Sequence, residues 1–155
     1  MKTEQNSDPI RPMAGPVVGV TSESLALVRE ACADARQGDS GCDAWAALHF
    51  LCPEAAPGAA EILDSKIVTR VVARESRRTY FLVEAGKGTT YSHVCFPGFC
   101  TCDHYRQRVA SRTDTVACKH EIAVLLAEAL SLMQQRELSD EEWAAAFDTA
   151  LSLEQ

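Results

Sequence analysis

Four cysteine and histidine residues stand in two close pairs and constrain this chain more than any other feature. The first pair is Cys100-Thr-Cys102, and the second, fifteen residues later, is Cys118-Lys-His120. Three thiolates and one imidazole are a ligand set that closes a tetrahedral Zn²⁺ site. One intervening residue in each pair places both of its ligands on a single tight turn. Because this set leaves no position for water, it predicts one structural Zn²⁺ and no Lewis-acid catalyst.

Other interpretations of the two pairs stay open at this point. Three cysteines and one histidine can also hold an iron–sulfur cluster, which ligand type alone does not exclude. The cysteines could also be core residues, although the pairs flank a polar segment where core cysteines have no reason to gather. Cys95, His93 and His104 lie close enough to act as alternative ligands. We interpret Cys95 as a core residue at a strand end and the two histidines as exposed to solvent.

The cysteine count indicates the compartment. The 155 residues include seven cysteines, an odd number that cannot pair completely. Residues 1–20 hold no apolar segment of the kind that secretory signals carry, so a reducing compartment is expected. The longest apolar run, 122–127, is six residues and far too short to span a membrane. We therefore expect a cytosolic or nuclear protein.

The hydrophobic pattern changes its period along the chain and predicts an α+β fold in one compact domain. Residues 1–20 contain three prolines and show no periodicity, which predicts a disordered arm. Residues 21–65 form a helical N-terminal part, because apolar side chains recur there at three and four residues. The helices are predicted over 22–37, 43–51 and 58–64.

Residues 66–136 combine a small antiparallel β meander with the metal pairs and a long helix. Alternating β-branched and aromatic residues predict a hairpin and a third strand. The predicted strands are 67–73, 78–84 and 89–94. The turn Gly86-Lys87-Gly88 lacks the upstream glycine of a phosphate loop, so a tight hairpin turn is the better interpretation.

Two helices are predicted to complete the fold. The first is the long one, which starts at the second metal pair and runs to about Arg136. Residues 137–155 form the C-terminal helix, in which Ser139 and Glu142 make a capping-box pattern.

The charge of the chain is segregated. The net charge of −7 divides into −6 for residues 1–65, +6 for residues 66–120 and −7 for residues 121–155. A basic middle segment can present a local positive surface to phosphates, with Tyr105 or Phe99 as stacking platforms for bases. Charges that are simply solvated are the alternative. The candidate nucleic-acid-binding residues are Arg77, Arg78, Arg106, Arg108, Arg112 and Lys119.

The paired motif resembles the SWIM zinc finger. The likeness extends from Tyr91 through Cys118-Lys-His-Glu-Ile-Ala-Val-Leu-Leu126, and it includes Leu48-His-Phe-Leu51, the preceding hairpin and the chain length. Together these features are similar to the family of small SWIM subunits of Shu complexes, over roughly residues 40–135. The chain departs from that pattern at Cys95-Phe-Pro-Gly-Phe99, which looks like an insertion.

The resemblance implies a function. Cys100, Cys102, Cys118 and His120 would bind the zinc, and the chain would form a heterodimer with a RecA-fold recombinase paralogue. The pair would support recombinase assembly on single-stranded DNA during homologous recombination, in the nucleus or also in the cytoplasm. The long helix would dock the partner. Its candidate partner-binding residues are Ile122, Leu125, Leu126 and Met133.

Two other functions fit the same residues. One is a DNA-binding transcriptional regulator with a SWIM finger, although such regulators usually have much longer chains. The other is a generic zinc-dependent protein interaction module. No nucleophile–base pair is recognisable and the metal consumes the best cluster, so we expect no enzyme.

Overall fold

A computed structural model describes residues 22–34, 41–65, 67–84, 92–112 and 114–153. The predicted arm, 1–20, and the glycine turn, 86–88, lie outside the described residues. The elements, in chain order, are α1 (Ser22–Asp34), α2 (Gly41–Leu51), α3 (Ala56–Ser65), β1 (Val68–Ala73), β2 (Thr79–Glu84), β3 (Ser92–Phe96), β4 (Phe99–Cys100), a π-helix (Tyr105–Ser111), α4 (Lys119–Ala129), β5 (Gln134–Leu138) and α5 (Asp140–Ser152). This mixture of helices and one sheet confirms the α+β prediction.

The five strands form one sheet in the order β4-β3-β2-β1-β5. Strands β1 to β3 form the predicted antiparallel meander, which the unpredicted strand β4 extends, and the unpredicted strand β5 pairs with β1 in parallel. Strand β3 continues to Phe96, two residues beyond its predicted end. The stretch that looks like an insertion is therefore the end of β3, a two-residue turn at Pro97 and Gly98, and the start of β4.

The prediction of a long helix to Arg136 is wrong. Helix α4 ends at Ala129, and Ser131 adopts the left-handed conformation with a φ of 57°. The Leu132 N–H then donates to the Ala127 carbonyl at 2.9 Å, and the Ser131 N–H donates to the Glu128 carbonyl at 3.3 Å. These two bonds form a Schellman motif, which stops a helix and usually places glycine at the left-handed position. Because serine and not glycine occupies that position, the sequence pattern does not indicate that the helix ends there.

Helices cover both faces of the sheet, because alternate strand residues point to opposite sides. On one face, Val68, Phe81 and Val83 pack in a core that also contains buried residues of α1 to α4. On the other face, Val71 and Tyr80 belong to a smaller core with Trp143 of α5. The sheet thus lies between two helical layers.

Helix α5 begins as its capping box predicts. The Glu142 N–H donates to Ser139 Oγ at 3.2 Å, and the Ser139 N–H donates to the Glu142 carboxylate at 3.0 Å. Trp143 Nε1 donates to the Val71 carbonyl at 3.3 Å, so this buried indole is satisfied. The ring of Tyr80 lies 5.2 Å from the rings of Trp143 and Phe147. The aromatic contacts hold α5 against the sheet.

Two of the predicted partner-binding residues lie inside the core. Ile122 and Leu126 are 0% exposed and pack in the larger core, so no partner reaches them in this fold. Leu125 and Met133 are half-buried against the same core and keep part of their surface. The structure therefore corrects the prediction for Ile122 and Leu126. In the described residues, no helix is long and apolar enough to cross a membrane.

Replacing Leu126 by alanine tests this correction. Because Leu126 is fully buried, we expect Leu126→Ala to lower the free energy of unfolding by about 2–5 kcal/mol through lost transfer energy and an internal cavity. Leu132→Ala is the matched control, since Leu132 is 57% exposed, and it should change stability by less than about 0.5 kcal/mol. Denaturant unfolding of the full chain measures both. Equal effects would contradict the internal placement of Leu126.

Candidate metal centre

The structure brings all four residues of the paired motif together. Cys100 ends β4, Cys102 precedes the π-helix, Cys118 is the N-cap residue of α4, and His120 lies in the first turn of that helix. Their ligand atoms all lie within 4.8 Å of one another, and each side chain is at most 6% exposed. The motif therefore forms one buried cluster between the edge of the sheet and the start of α4.

The spacing of the donor atoms fits a tetrahedral zinc ion. With Zn–S bonds of about 2.3 Å and Zn–N bonds of about 2.0 Å, ligand atoms around such an ion lie about 3.5–3.8 Å apart. Cys100 Sγ and His120 Nδ1 are 3.8 Å apart. Three sulfurs and one ring nitrogen are also the donor set that zinc fingers use. The residues present fit a closed zinc site.

A short hairpin holds the first pair in place. Gly98 in the β3–β4 turn has a φ of 80°, a conformation that favours glycine. Beyond the turn, the Thr101 N–H donates to the Val94 carbonyl at 3.0 Å, and the Val94 N–H donates to Thr101 Oγ1 at 3.0 Å. Thr101, the single residue between the two cysteines, thus fixes their turn to the neighbouring strand.

The π-helix connects the two pairs, a segment that the sequence indicates only as polar. The Tyr105 N–H donates to Cys102 Sγ at 3.3 Å, and the Tyr105 hydroxyl donates to the Gly98 carbonyl. At the other end of the connection, Arg108 donates to both carboxylate oxygens of Asp114 at 2.8 Å. These hydrogen bonds fix both ends of the segment that connects the first pair of ligands to the second.

The structure also places the three residues that the sequence offers as alternative ligands. Cys95 is buried as expected, but its Sγ donates to Cys100 Sγ at 3.5 Å and so contacts a ligand directly. His93 is half-buried, with its ring 4.3 Å from the ring of His120, so the prediction that it is exposed is wrong. His104 is also half-buried and stands outside the cluster. The strand alternation that points residues 93 and 95 to one face was the available signal for both contacts.

Charge at the cluster is shared among its three thiols. Hydrogen bonds from Cys100 and Cys118 lower the pKa of Cys102. The bond to Cys102 raises the pKa of Cys100, and the bond to Cys100 raises the pKa of Cys118. The protonation of each thiol therefore depends on the other two, and Cys102 is the one that loses its proton most readily. Burial lowers the pKa of His120, which keeps its ring neutral and able to bind a metal.

Glu121 holds the second pair of ligands in place through a hydrogen bond to the backbone. Its carboxylate accepts a hydrogen bond from the Cys118 N–H at 3.1 Å. The side chain is only 5% exposed, and burial raises the pKa of its carboxyl to about 7. The contact closes the N-terminal turn of α4 around a ligand, as partners outside a metal's ligand shell commonly do.

The candidate nucleic-acid-binding residues lie on three elements. Arg77 and Arg78 are in the β1–β2 turn, Arg106 and Arg108 are on the π-helix, Arg112 follows the π-helix, and Lys119 begins α4. Arg106 pairs with Asp103, and Arg108 pairs with Asp114 and, at 3.6 Å, with Glu54. Local carboxylates therefore offset part of the positive charge of this segment. The other four basic side chains are exposed.

Curated relatives share a single name. Over 96 residues, or 62% of this chain, it is 29% identical to the zinc finger SWIM domain-containing protein 7 homolog of Dictyostelium discoideum and 33% identical to zinc finger SWIM domain-containing protein 7 of Danio rerio. The human protein of that name is 27% identical over 95 residues. The alignments cover 62%, 68% and 67% of these three proteins, so the first match spans less than two thirds of its relative. No family model and no solved structure matches significantly.

Removing one ligand should remove the metal. The binding free energy of a structural zinc, about 10–16 kcal/mol, is comparable to the entire stability of a small domain, about 5–15 kcal/mol. We expect Cys118→Ser to lower the zinc content from one ion per chain to nearly none and to destabilise the larger core. Cys52→Ser is the control, since Cys52 is buried and lies outside the cluster. Elemental analysis of the purified chains measures the content, and iron in place of zinc would contradict the assignment.

Zinc binding should release protons. Because zinc binds cysteines as thiolates, the protons that the cluster's thiols hold must leave when the ion binds near neutral pH. Zinc affinity should then fall as the pH falls, since protons compete with the metal for the sulfurs. Calorimetry in buffers of different ionisation enthalpy detects the released protons. Zinc binding with no proton release and no dependence on pH would contradict binding through these cysteines.

Proposed function

The chain belongs to the family of zinc finger SWIM domain-containing protein 7, and from this membership we propose that it is a non-enzymatic accessory factor of homologous recombination. In this proposal it pairs with a RecA-fold recombinase paralogue and promotes recombinase assembly on single-stranded DNA, in the nucleus. The observation that carries the proposal is the buried Cys₃His cluster in a chain of this family.

We assign the cluster one structural Zn²⁺, which supplies a cross-link when bound. The four donors come from the end of β4, the following turn and the first turn of α4, so they connect the sheet edge to a helix of the larger core. Four protein donors fill a tetrahedral site and leave no position for a reacting water. This saturation supports a binding role for the chain and disfavours hydrolysis at the cluster.

The partner would contact the surface that Leu125 of α4 and Met133, which follows the helix, leave exposed at the edge of the larger core. Both side chains are half-buried against that core, whereas Ile122 and Leu126 are internal. Leu130 and Leu132 follow the helix and are 36% and 57% exposed. A protein partner is favoured over DNA at this side, because residues 121–155 carry a net charge of −7.

DNA contact would use the exposed basic side chains near the metal centre. Zn²⁺ with three thiolates carries a net charge of about −1, so the centre itself repels phosphates. Arg112 lies before the second metal pair and Lys119 lies within it, and both side chains are exposed; Arg106 and Arg108 form ion pairs with carboxylates. Backbone contacts of this kind are independent of sequence and weaken with salt.

Affinity capture of the tagged full chain from native extract tests the proposal. We expect a RecA-fold protein to co-purify in a one-to-one ratio, identified by mass spectrometry and quantified against the bait. Cys118→Ser should lose this protein, because the metal stabilises the helix that carries the partner surface. The Cys52→Ser chain, which leaves all four ligands in place, should retain it.

Two results would count against the proposal. The first is a bait that is folded and zinc-loaded but recovers no RecA-fold protein. The second is full retention of the partner by metal-free Cys118→Ser. A captured complex whose affinity for single-stranded oligonucleotide stays constant between low and moderate salt would contradict the proposed phosphate contacts, since their release of counterions makes binding salt-dependent.

A further inference from the structure

A fourth cysteine, Cys95, faces one of the three cysteine ligands across the β3–β4 hairpin. Cys95 and Cys100 are directly opposite each other in the strand register, and their sulfurs are 3.5 Å apart. The Thr101 N–H donates to the Val94 carbonyl, so Cys95 and Cys100 occupy the next, non-hydrogen-bonded position of the pair. Residues at such positions have Cα atoms about 4.5 Å apart, which lies within the range that a disulfide spans.

A cleft is lined by one of these two cysteines. It has a volume of about 530 Å³ and lies between α1, the sheet and α4, with Arg29, Phe81 and Leu125 in its walls. Cys95 lines this cleft, whereas Cys100 does not. Because Cys95 is only 1% exposed, a protein does not reach it, and the cleft is the route by which a small oxidant would approach. Cys32 lines the same cleft but is not part of the metal cluster.

We propose that Cys95 and Cys100 form a peroxide-sensitive modification site, in which a disulfide between them withdraws Cys100 from the metal centre and releases the zinc. The proposal rests on the zinc site assigned above and adds a role for a residue that is not itself a ligand. It is independent of the partner and of DNA.

The chemistry has two steps. Cys95 first loses its proton, and the thiolate attacks one oxygen of hydrogen peroxide; the O–O bond breaks, which gives a sulfenic acid and hydroxide, and the hydroxide takes up that proton to become one water. The Cys100 thiolate then attacks the sulfenyl sulfur, forming the S–S bond and expelling hydroxide, which takes up a proton to become the second water. Two sulfurs lose one electron each, and the peroxide gains two. Only three ligands then remain at the centre, and a thiol reductant reverses the change.

Peroxide treatment of the full, zinc-loaded chain tests the proposal. A chromogenic chelator follows zinc release, and mass spectrometry of a non-reducing digest locates the disulfide. We expect one zinc to leave per chain with the appearance of the Cys95–Cys100 disulfide, and both changes to reverse on addition of thiol reductant and zinc. Zinc release from Cys95→Ala should be several-fold slower. Cys32→Ala is the matched control, because Cys32 is equally buried in the same cleft, and it should behave as the unmodified chain.

Two outcomes would overturn the proposal. One is release of zinc from Cys95→Ala at the rate of the unmodified chain. The other is a first disulfide between two ligands, such as Cys102 and Cys118. If Cys95→Ala does not load zinc, the disulfide map of the unmodified chain decides the matter alone. A chain that never takes up zinc contradicts the metal site instead, so the two failures are distinguishable.

Discussion

The gathering of four metal-ligating side chains from two distant segments into one buried cluster is the constraint on which the rest of this structure depends. The first pair leaves the edge of the sheet, and the second begins α4, the helix that packs on that sheet. Three of the four ligands are themselves members of the larger core. The metal cluster and the hydrophobic core therefore stabilise the same contact, and loss of either weakens the other.

Surrounding residues hold the ligands in position before any metal binds. Thr101 ties the first turn to β3, Tyr105 donates to Cys102, and Glu121 accepts from Cys118. Such contacts lower the entropic cost of gathering four side chains, because fewer rotamers must be restricted on binding. The same proximity brings Cys95 within contact of Cys100. The arrangement that positions Cys100 for zinc binding therefore also positions it for a disulfide bond with Cys95.

Positive and negative charges are concentrated in different segments of the chain. The segment that contains the metal pairs carries +6, and the segment that follows carries −7. The ion pairs of Arg106 and Arg108 with neighbouring carboxylates reduce the local positive field, so net charge alone overstates the attraction for phosphates. The exposed apolar and acidic surface beyond α4 is better suited to a protein. These properties are the ones on which the proposal of a protein partner and of phosphate contacts depends.

Residue types and their short-range spacing were enough to predict the four cluster residues, the α+β class, the meander and the capped C-terminal helix. Each depends on residue type and on spacing within a few positions, as in Cys118-Lys-His120 or Ser139 with Glu142. The end of α4 could be found only in the folded chain, because Ser131 adopts a left-handed conformation that serine rarely takes. It also decided that Ile122 and Leu126 face inward, since a broadly apolar helix does not reveal which sides its neighbours cover. The contact between Cys95 and Cys100 depends in addition on the register of β3 against β4, which strand alternation alone does not give.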